Sequence, residues 1–283
     1  MQELLKTAGP KLTPISPTAH VDIEFSSQLG DPENDQDAHV WKVRIEGNGP
    51  YALKMLRRNS AANLLRSLAT PQYYRDFYDS FNCECRAYAR LKQESREDLA
   101  IQAHGEKYTP DDTEPELDGT RTWRRCEEHR HLPVRAIVKD LCTESGYFTP
   151  SDIAGIWRDL EGFHELGILV RDVRIGNYMG GKLIDLNWSW TMPHPSFIYL
   201  SEAALNEERR LDAHSLRMAI LDHGDEEKWC WSEVEIPEDL INCAIGYGLG
   251  RYGIDPREYD WRRWEESPRV MVAFMTKKLL VKD

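Results

Sequence analysis

No run of about 18 or more apolar residues occurs anywhere in the 283-residue chain, so no segment is expected to span a membrane. The opening stretch, MQELLKTAGPKLTPISP, lacks the charged-then-apolar pattern of a secretory leader, and secretion is not expected. Cysteine is sparse. The six residues at 83, 85, 126, 142, 230 and 243 are too scattered for a disulfide framework, which predicts reduced thiols in a cytoplasmic or nuclear protein. Internal repeats and heptad patterns are absent. Positive charge is in deficit: Lys and Arg number 36 against 48 Asp and Glu, for a net charge of −12. That balance argues against broad binding to nucleic acid or an anionic membrane. The Arg-Arg pairs at 57/58, 124/125, 209/210 and 262/263 are too dispersed to form a groove.

The chain does have packing material. Hydrophobic residues make up 41%, with 9 Trp and 12 Tyr, enough for a real core in one large domain or in two lobes sharing a cleft. Residues 1–20, rich in Pro, Ser and Thr, predict a loose arm. Val21 to Phe25, His39 to Ile45 and Tyr51 to Leu56 alternate in polarity, which predicts an antiparallel meander with a loop at SSQLGDPENDQDA and a turn at GNGP. FNCECRAYARLK shifts to a helical period, with Phe81, Ala87, Tyr88 and Leu91 on one face. Ile101 to His104 and Val134 to Leu141 read as further strands, and the acidic 106–119 segment as a surface loop.

The clearest helix follows. Thr149-Pro150-Ser151-Asp152 supplies a cap and a first-turn proline. Ile153, Ile156, Trp157, Leu160, Phe163 and His164 form one stripe, and Gly167 ends it. Beyond residue 198 the pattern is mostly helical, over 199–222, 237–248 and 267–281. Strands first and helices second predict an α+β chain of two lobes: a sheet with one helix over 21–141, and a mainly helical part over 142–283.

Between the strands and helices lies HELGILVRDVRIGNYMGGKLIDLNWSW, residues 164–190, which threads Asp172, Asn177 and Asp185 between apolar runs. A phosphate-transfer site needs few parts, because its catalysis is mainly positioning and charge stabilisation. It needs a cation for the phosphates, an acid to hold that cation, a carboxylate near the attacking hydroxyl, and oxygen ligands for Mg²⁺. Lys54 in ALKM, Glu84 in ECRAY, Asp172, then Asn177 five positions later, and Asp185 after the Gly180-Gly181 turn supply these types in order. Lys54 as a snorkelling strand lysine and Glu84 on a solvated helix face are the bland alternatives. His164 is expected to pack in its helix and bond to the loop, and Trp188 and Trp190 to pack under the Asp185 segment. Cys83 and Cys85 are expected on different helix faces. Cys126, His129 and His131 have metal-ligand types but no second pair.

The pattern H-x-x-G-I-x-V-R-D-x-R-x-x-N followed by L-I-D-L-N resembles the catalytic loop and metal segment of protein-kinase-like enzymes. ALKM resembles the V-A-I-K strand, and ECRAYARL the helix whose glutamate pairs that lysine. The short GG hairpin and the trailing WSWTMPHP are most similar to a fungal kinase-like family labelled as a kinetochore (Sim4 complex, Fta2-type) subunit. The resemblance covers roughly residues 21–200.

It implies a bilobal protein-kinase-like fold, with a small antiparallel-sheet N-lobe plus one helix and a mainly helical C-lobe. It implies Asp172 as catalytic base and Arg174 steadying the transferred phosphoryl. Asn177 and Asp185 would hold Mg²⁺, and Lys54, oriented by Glu84, would reach ATP. Backbone groups at Lys139, Asp140 and Leu141 would meet the adenine. Partners would be a nucleotide and a small-molecule or protein acceptor. The departures are concrete. The loop that should cover phosphates has one glycine, Gly30, and four acidic residues. Val170 stands for the histidine of H-R-D and Asn187 for the glycine of D-F-G, and no A-P-E follows. The readings are therefore an ATP- and Mg²⁺-dependent phosphotransferase, a pseudokinase binding module of a kinetochore-type complex, or another transferase reusing the cleft. The last class would include an adenylyltransferase or a tRNA-dependent cyclodipeptide synthase. The D-D-x-x-E signature of the latter is missing at Asp111-Asp112.

Overall fold

The computed structural model describes residues 9–15, 21–30, 38–56, 76–109, 134–143 and 146–245. The zinc candidates at 126–131, residues 110–119 of the expected 106–119 loop, most of the 1–20 arm and the expected 267–281 helix lie outside these residues; residues 106–109 are strand rather than loop.

Five strands form one antiparallel sheet: β1 (Ile23–Leu29), β2 (Ala38–Ile45), β3 (Asn48–Leu56), β4 (Ala103–Thr109) and β5 (Val134–Asp140). Their spatial order is β1-β2-β3-β5-β4, so β5 inserts beside β3 and leaves β4 at an edge. The meander expected from alternation is present. β1, however, runs on through Ser26-Ser27-Gln28-Leu29, which the polar sequence reads as loop. An edge strand needs only backbone ladder bonds, and a register shift between Phe25 and Ser27 lets polar side chains continue it. The turn between β2 and β3 is Glu46-Gly47, not GNGP, because Asn48 already pairs with Ile45.

The period of two sorts β3 and β5 onto two faces. Leu53 and Met55 join Val134, Ala136 and Val138, with Trp41, Val43 and Ile45, in one apolar cluster. The opposite face carries Lys54, Leu56, Arg135, Ile137 and Lys139 toward helix α1 (Ser80–Gln93). Residues 9–15 lie along β4: the Ile15 amide donates to Glu106 O and the Glu106 amide to Thr13 O, both at 3.0 Å. A side chain at Gly105 would meet Thr13 O at 2.7 Å, so only glycine lets the two backbones come this close.

α1 is buried on every face from Ser80 to Leu91, including Asn82, Glu84, Arg86 and Arg90. It stands between the sheet and the helical body. Two arginines tie it in. Arg135 of β5 makes a two-pronged pair with Asp79 just before α1, at 2.6 and 3.0 Å. Arg90 donates to Leu166 O at 2.9 Å and to Met192 O at 2.6 Å.

Helix α2 (Ile153–Glu165) starts from the expected capping box of Thr149 and Asp152, through a 3-10 turn at Pro150–Asp152. It buries the expected residues: Ile153, Ile156, Trp157, Leu160, Phe163 and His164. Each large side chain removed from water here is worth ~1.5–3 kcal/mol. Gly167, at φ 68, turns the chain into β6 (Ile168–Leu169). β7 (Tyr178–Met179) and β8 (Lys182–Leu183) form a hairpin whose Gly180 and Gly181 have φ 54 and 71, the handedness a two-residue hairpin turn demands. β9 (Trp190–Thr191) pairs with β6. Among the described residues three α-helices follow: α3 (Pro195–Tyr199), α4 (Glu202–Glu226) and α5 (Glu238–Ile245). The expected 199–222 helix thus splits at Ser201, whose hydroxyl caps α4 by accepting from the Ala204 amide. The protein is α+β, with one five-stranded antiparallel sheet and a helical body joined through α1.

Candidate functional site

β3 delivers Lys54 to the face that meets α1, and α1 delivers Glu84. Neither is solvated: Lys54 is 5% exposed and Glu84 0%. Lys54 Nζ donates to Asp185 Oδ1 at 2.5 Å and lies 3.0 Å from Glu84 Oε2. The second contact is an ion pair without hydrogen-bond geometry, since Glu84 Oε2 accepts no hydrogen bond. Lys139, from β5, donates to Glu84 Oε1 and, at 2.7 Å, to Ile184 O. Its ammonium also sits over the Tyr88 ring, 4.9 Å from the centroid. Two lysines and two carboxylates therefore form a charge-balanced cluster where sheet, α1 and the segment after β8 meet, buried except for a partly exposed Asp185.

Asp185 lies two residues past β8, in the segment that leaves the hairpin. Its Oδ1 also accepts from the Asn187 amide at 2.9 Å. Burial pushes its carboxyl upward, but Lys54, Lys139 and the hydrogen bonds from Lys54 and Asn187 outweigh burial and hold it below the usual carboxylate range. Nothing among the described residues hydrogen-bonds Oδ2.

The β7–β8 hairpin brings Asn177 to the same place, because the Ile184 amide donates to Asn177 O at 2.8 Å. Asn177 Nδ2 donates to Asp172 O at 2.7 Å and to Asp172 Oδ2 at 2.9 Å, which orients the amide and leaves its oxygen without a protein partner among the described residues. Arg174, 65% exposed, pairs through Nε with Asp172 Oδ2 at 3.2 Å. Asp172, Arg174 and Asn177 thus form one group, and Lys54, Glu84 and Asp185 another, linked through the hairpin. Asp185 Oδ2, Asp172 Oδ1 and Asn177 Oδ1 are the oxygens left to hold a hard cation. Among the described residues no group of three His, Cys, Asp or Glu is placed to do so.

Of the remaining expected residues, Lys139 turns its side chain inward to Glu84. Asp140 faces outward and bonds His104 Nε2 at 2.6 Å, and Leu141 is partly buried. Trp188 is 49% exposed and does not pack under the Asp185 segment. Trp190 packs elsewhere, stacked on His194, covered by the Arg171 guanidinium at 3.5 Å and set against Leu169, Met192 and Phe197. Cys83 and Cys85 are both buried and bond different partners, Phe77 O and Glu106. Burial, first of all, raises the Cys83 thiol to about 12 and the Cys85 thiol well above its ordinary value, so neither is a ready nucleophile.

One residue the sequence pattern missed organises the loop. Asp212 of α4 accepts from the Val170 amide at 2.9 Å, the Arg171 amide at 2.7 Å and His164 Nε2 at 3.1 Å. His164 therefore reaches the loop through Asp212 rather than bonding to it directly. With both amides held, Arg171 adopts φ 65, a left-handed conformation uncommon outside glycine. The only local signal is an acid on the buried stripe of a long helix.

Fold and site together define an α+β protein in which a sheet and a helical body meet across a charge-paired seam. The chain matches the family model described as Kinetochore Sim4 complex subunit FTA2 over residues 1–190, more than half its length, and belongs to that family. The match takes in every site residue expected from the sequence, but not Asp212. No curated protein matches the chain.

Proposed function

We propose that this protein is a subunit of a kinetochore assembly, acting in the nucleus as a protein-binding module on a bilobal, kinase-like scaffold. Membership of the kinetochore subunit family supports the assembly role. One observation carries the binding-module reading. Lys54 and Asp185, the groups that a phosphate and a metal would have to engage, engage each other at 2.5 Å inside a neutral cluster. A scaffold with this arrangement leaves no buried charge unbalanced and needs no ligand to complete it. The test is nucleotide-dependent stability. ATP with Mg²⁺ at a hundred times its dissociation constant would add ~2.7 kcal/mol. The binding-module reading expects no shift with any nucleotide up to millimolar concentration, together with centromeric localisation of the tagged chain. A saturable shift lost in Asp185→Ala overturns it.

The second reading, an ATP- and Mg²⁺-dependent phosphotransferase, is favoured by the oxygens that Asp172, Asn177 and Asp185 leave without protein partners. In it Asn177 and Asp185 would hold the metal, Lys54 would serve the phosphates, and Asp172 would serve the acceptor hydroxyl with Arg174 beside it. A divalent ion supplies charge neutralisation there. Lys139, Asp140 and Leu141 supply the backbone edge for the base. In this reading Asp172→Asn lowers phosphoryl transfer by ~10²–10⁴-fold.

A further inference from the structure

Glu84 has two lysines within reach and treats them differently. Its Oε1 takes a hydrogen bond from Lys139. Its Oε2 takes none, although Lys54 Nζ is 3.0 Å away. Lys139 is also the better satisfied cation: one donor goes to Glu84, one to Ile184 O, and its charge faces the Tyr88 ring. Lys54 spends its hydrogen bond on Asp185. A fully buried carboxylate needs a hydrogen-bonded counterion wherever it sits, and here β5 rather than β3 provides it.

We propose that Lys139 is a positioning residue that acts as the standing counterion of Glu84, fixing α1 against the sheet and leaving the Lys54–Asp185 contact as the exchangeable part of the cluster. The fold explains why β5 can do this. Lys139 is the last inward-facing residue of β5, and it also bonds the backbone just before Asp185, so one ammonium ties sheet, α1 and the post-β8 segment together. Lys54 can then move without stranding Glu84. The inference concerns the protein without ligand and holds under either functional reading.

Two double-mutant cycles on the full chain test it, Glu84→Gln with Lys139→Met and Glu84→Gln with Lys54→Met, read as unfolding equilibrium constants in urea. The Glu84–Lys139 coupling is expected to exceed the Glu84–Lys54 coupling at least tenfold. Equal couplings, or a larger one to Lys54, overturn the proposal. Should Lys139→Met alone fail to fold, Lys139→Met with Glu84→Gln is the deciding variant, because removing both partners removes the stranded charge. Recovery of folding supports the counterion role, and failure to recover overturns it.

A second readout excludes a merely space-filling role. The rate at which an amine-reactive ester acylates Lys54 is followed by peptide mass spectrometry. In Lys139→Met, Glu84 has only Lys54 left, so acylation is expected to fall several-fold below wild type, with Lys139→Arg restoring it. In Asp185→Asn it is expected to rise. An unchanged Lys54 rate in folded Lys139→Met overturns the proposal.

Discussion

Removing the Asp212 carboxylate isolates the energetics of the Asp172 loop from those of the charged cluster. Asp212 is 2% exposed and receives three donors, the amides of Val170 and Arg171 and His164 Nε2. Asp212→Ala leaves three donors without their acceptor, the Val170 amide and His164 Nε2 buried and the Arg171 amide partly so. Hydrogen bonds to a charged group contribute ~1.5–3 kcal/mol each, and breaking one member of a buried set costs ~3–5 kcal/mol after partial relaxation. The expected loss is about 4 kcal/mol, a large fraction of a domain stability of ~5–15 kcal/mol. With an m-value of ~3 kcal/mol/M, the urea midpoint drops by ~1.3 M. Asp212→Asn keeps one oxygen acceptor and turns an NH₂ toward a donor, so it should lose about half as much. The assay is urea unfolding followed by tryptophan fluorescence, with m checked for constancy. Arg171 is a second reporter: it holds φ 65 with its own amide and that of Val170 bonded to Asp212. In Asp212→Ala that strain, ~1–2 kcal/mol for a residue with a Cβ, is released by local rearrangement. Protease sensitivity should therefore rise at Val170 to Arg174. A loss below ~0.5 kcal/mol with unchanged proteolysis would refute the claim that α4 fixes this loop.

His194 makes stability depend on pH. Its Nε2 donates to Phe77 O and its Nδ1 accepts from the Ser196 amide, a pattern only the neutral ring can satisfy, and burial depresses its pKa from 6.5 to about 3. A folded value below the unfolded one means the contribution is complete above pH 6.5 and is lost as pH falls toward 3, at ~1.4 kcal/mol per pH unit; in His194→Gln the measured slope over that window should flatten. Asp185 titrates below the usual carboxylate range, so its contribution is present at neutral pH and is lost only as pH falls through that depressed value, and Asp185→Asn should blunt the lowest part of an acid-unfolding curve. Gly105→Ala drives a Cβ against the backbone at Thr13 and Ile15; the two hydrogen bonds between residues 13–15 and Glu106 should break, with a loss of ~1–2 kcal/mol and faster proteolysis at 9–15 but not in α2. Arg90→Ala strands Leu166 O, at the end of α2, and Met192 O, just past β9, and should lower the urea midpoint by about as much as Asp212→Ala, whereas loss near zero would mean water replaces the guanidinium.

Legibility in the sequence followed the range over which each feature is encoded. α2 could be read almost whole, because its cap is a four-residue pattern and its one-sided burial leaves a stripe at the helical period. β2 and β3 could be read for the same reason at the period of two. The polar set was legible as residue types in order, since a loop, a Gly-Gly hairpin and an acid compress into about 14 positions. α1 was not legible in its most important property. A helix buried on all sides should look apolar, yet it carries Asn82, Glu84, Arg86 and Arg90. Their partners include Lys139, 55 positions away, and the backbone at Leu166 and Met192, 76 and 102 positions away, and no local window contains those. Asp212, 42 positions beyond Val170, escaped for the same reason.

The polar residues of α1 and the candidate site residues answer to one constraint. A helix inserted between a sheet and a helical body must satisfy both neighbours, and apolar packing alone would leave its register along the sheet loosely specified. Charged pairs of fixed length remove that freedom, at little net gain in stability but with a large penalty for any slipped arrangement. Arg135 with Asp79 sets one end of α1, Arg90 with the backbone at Leu166 and Met192 the other, and Lys139 with Glu84 the middle. Lys54 and Asp185 are then the members of the cluster whose removal leaves α1 registered. They are also the members whose contact a ligand could replace, or whose permanent closure would suit a protein that works only through its surface.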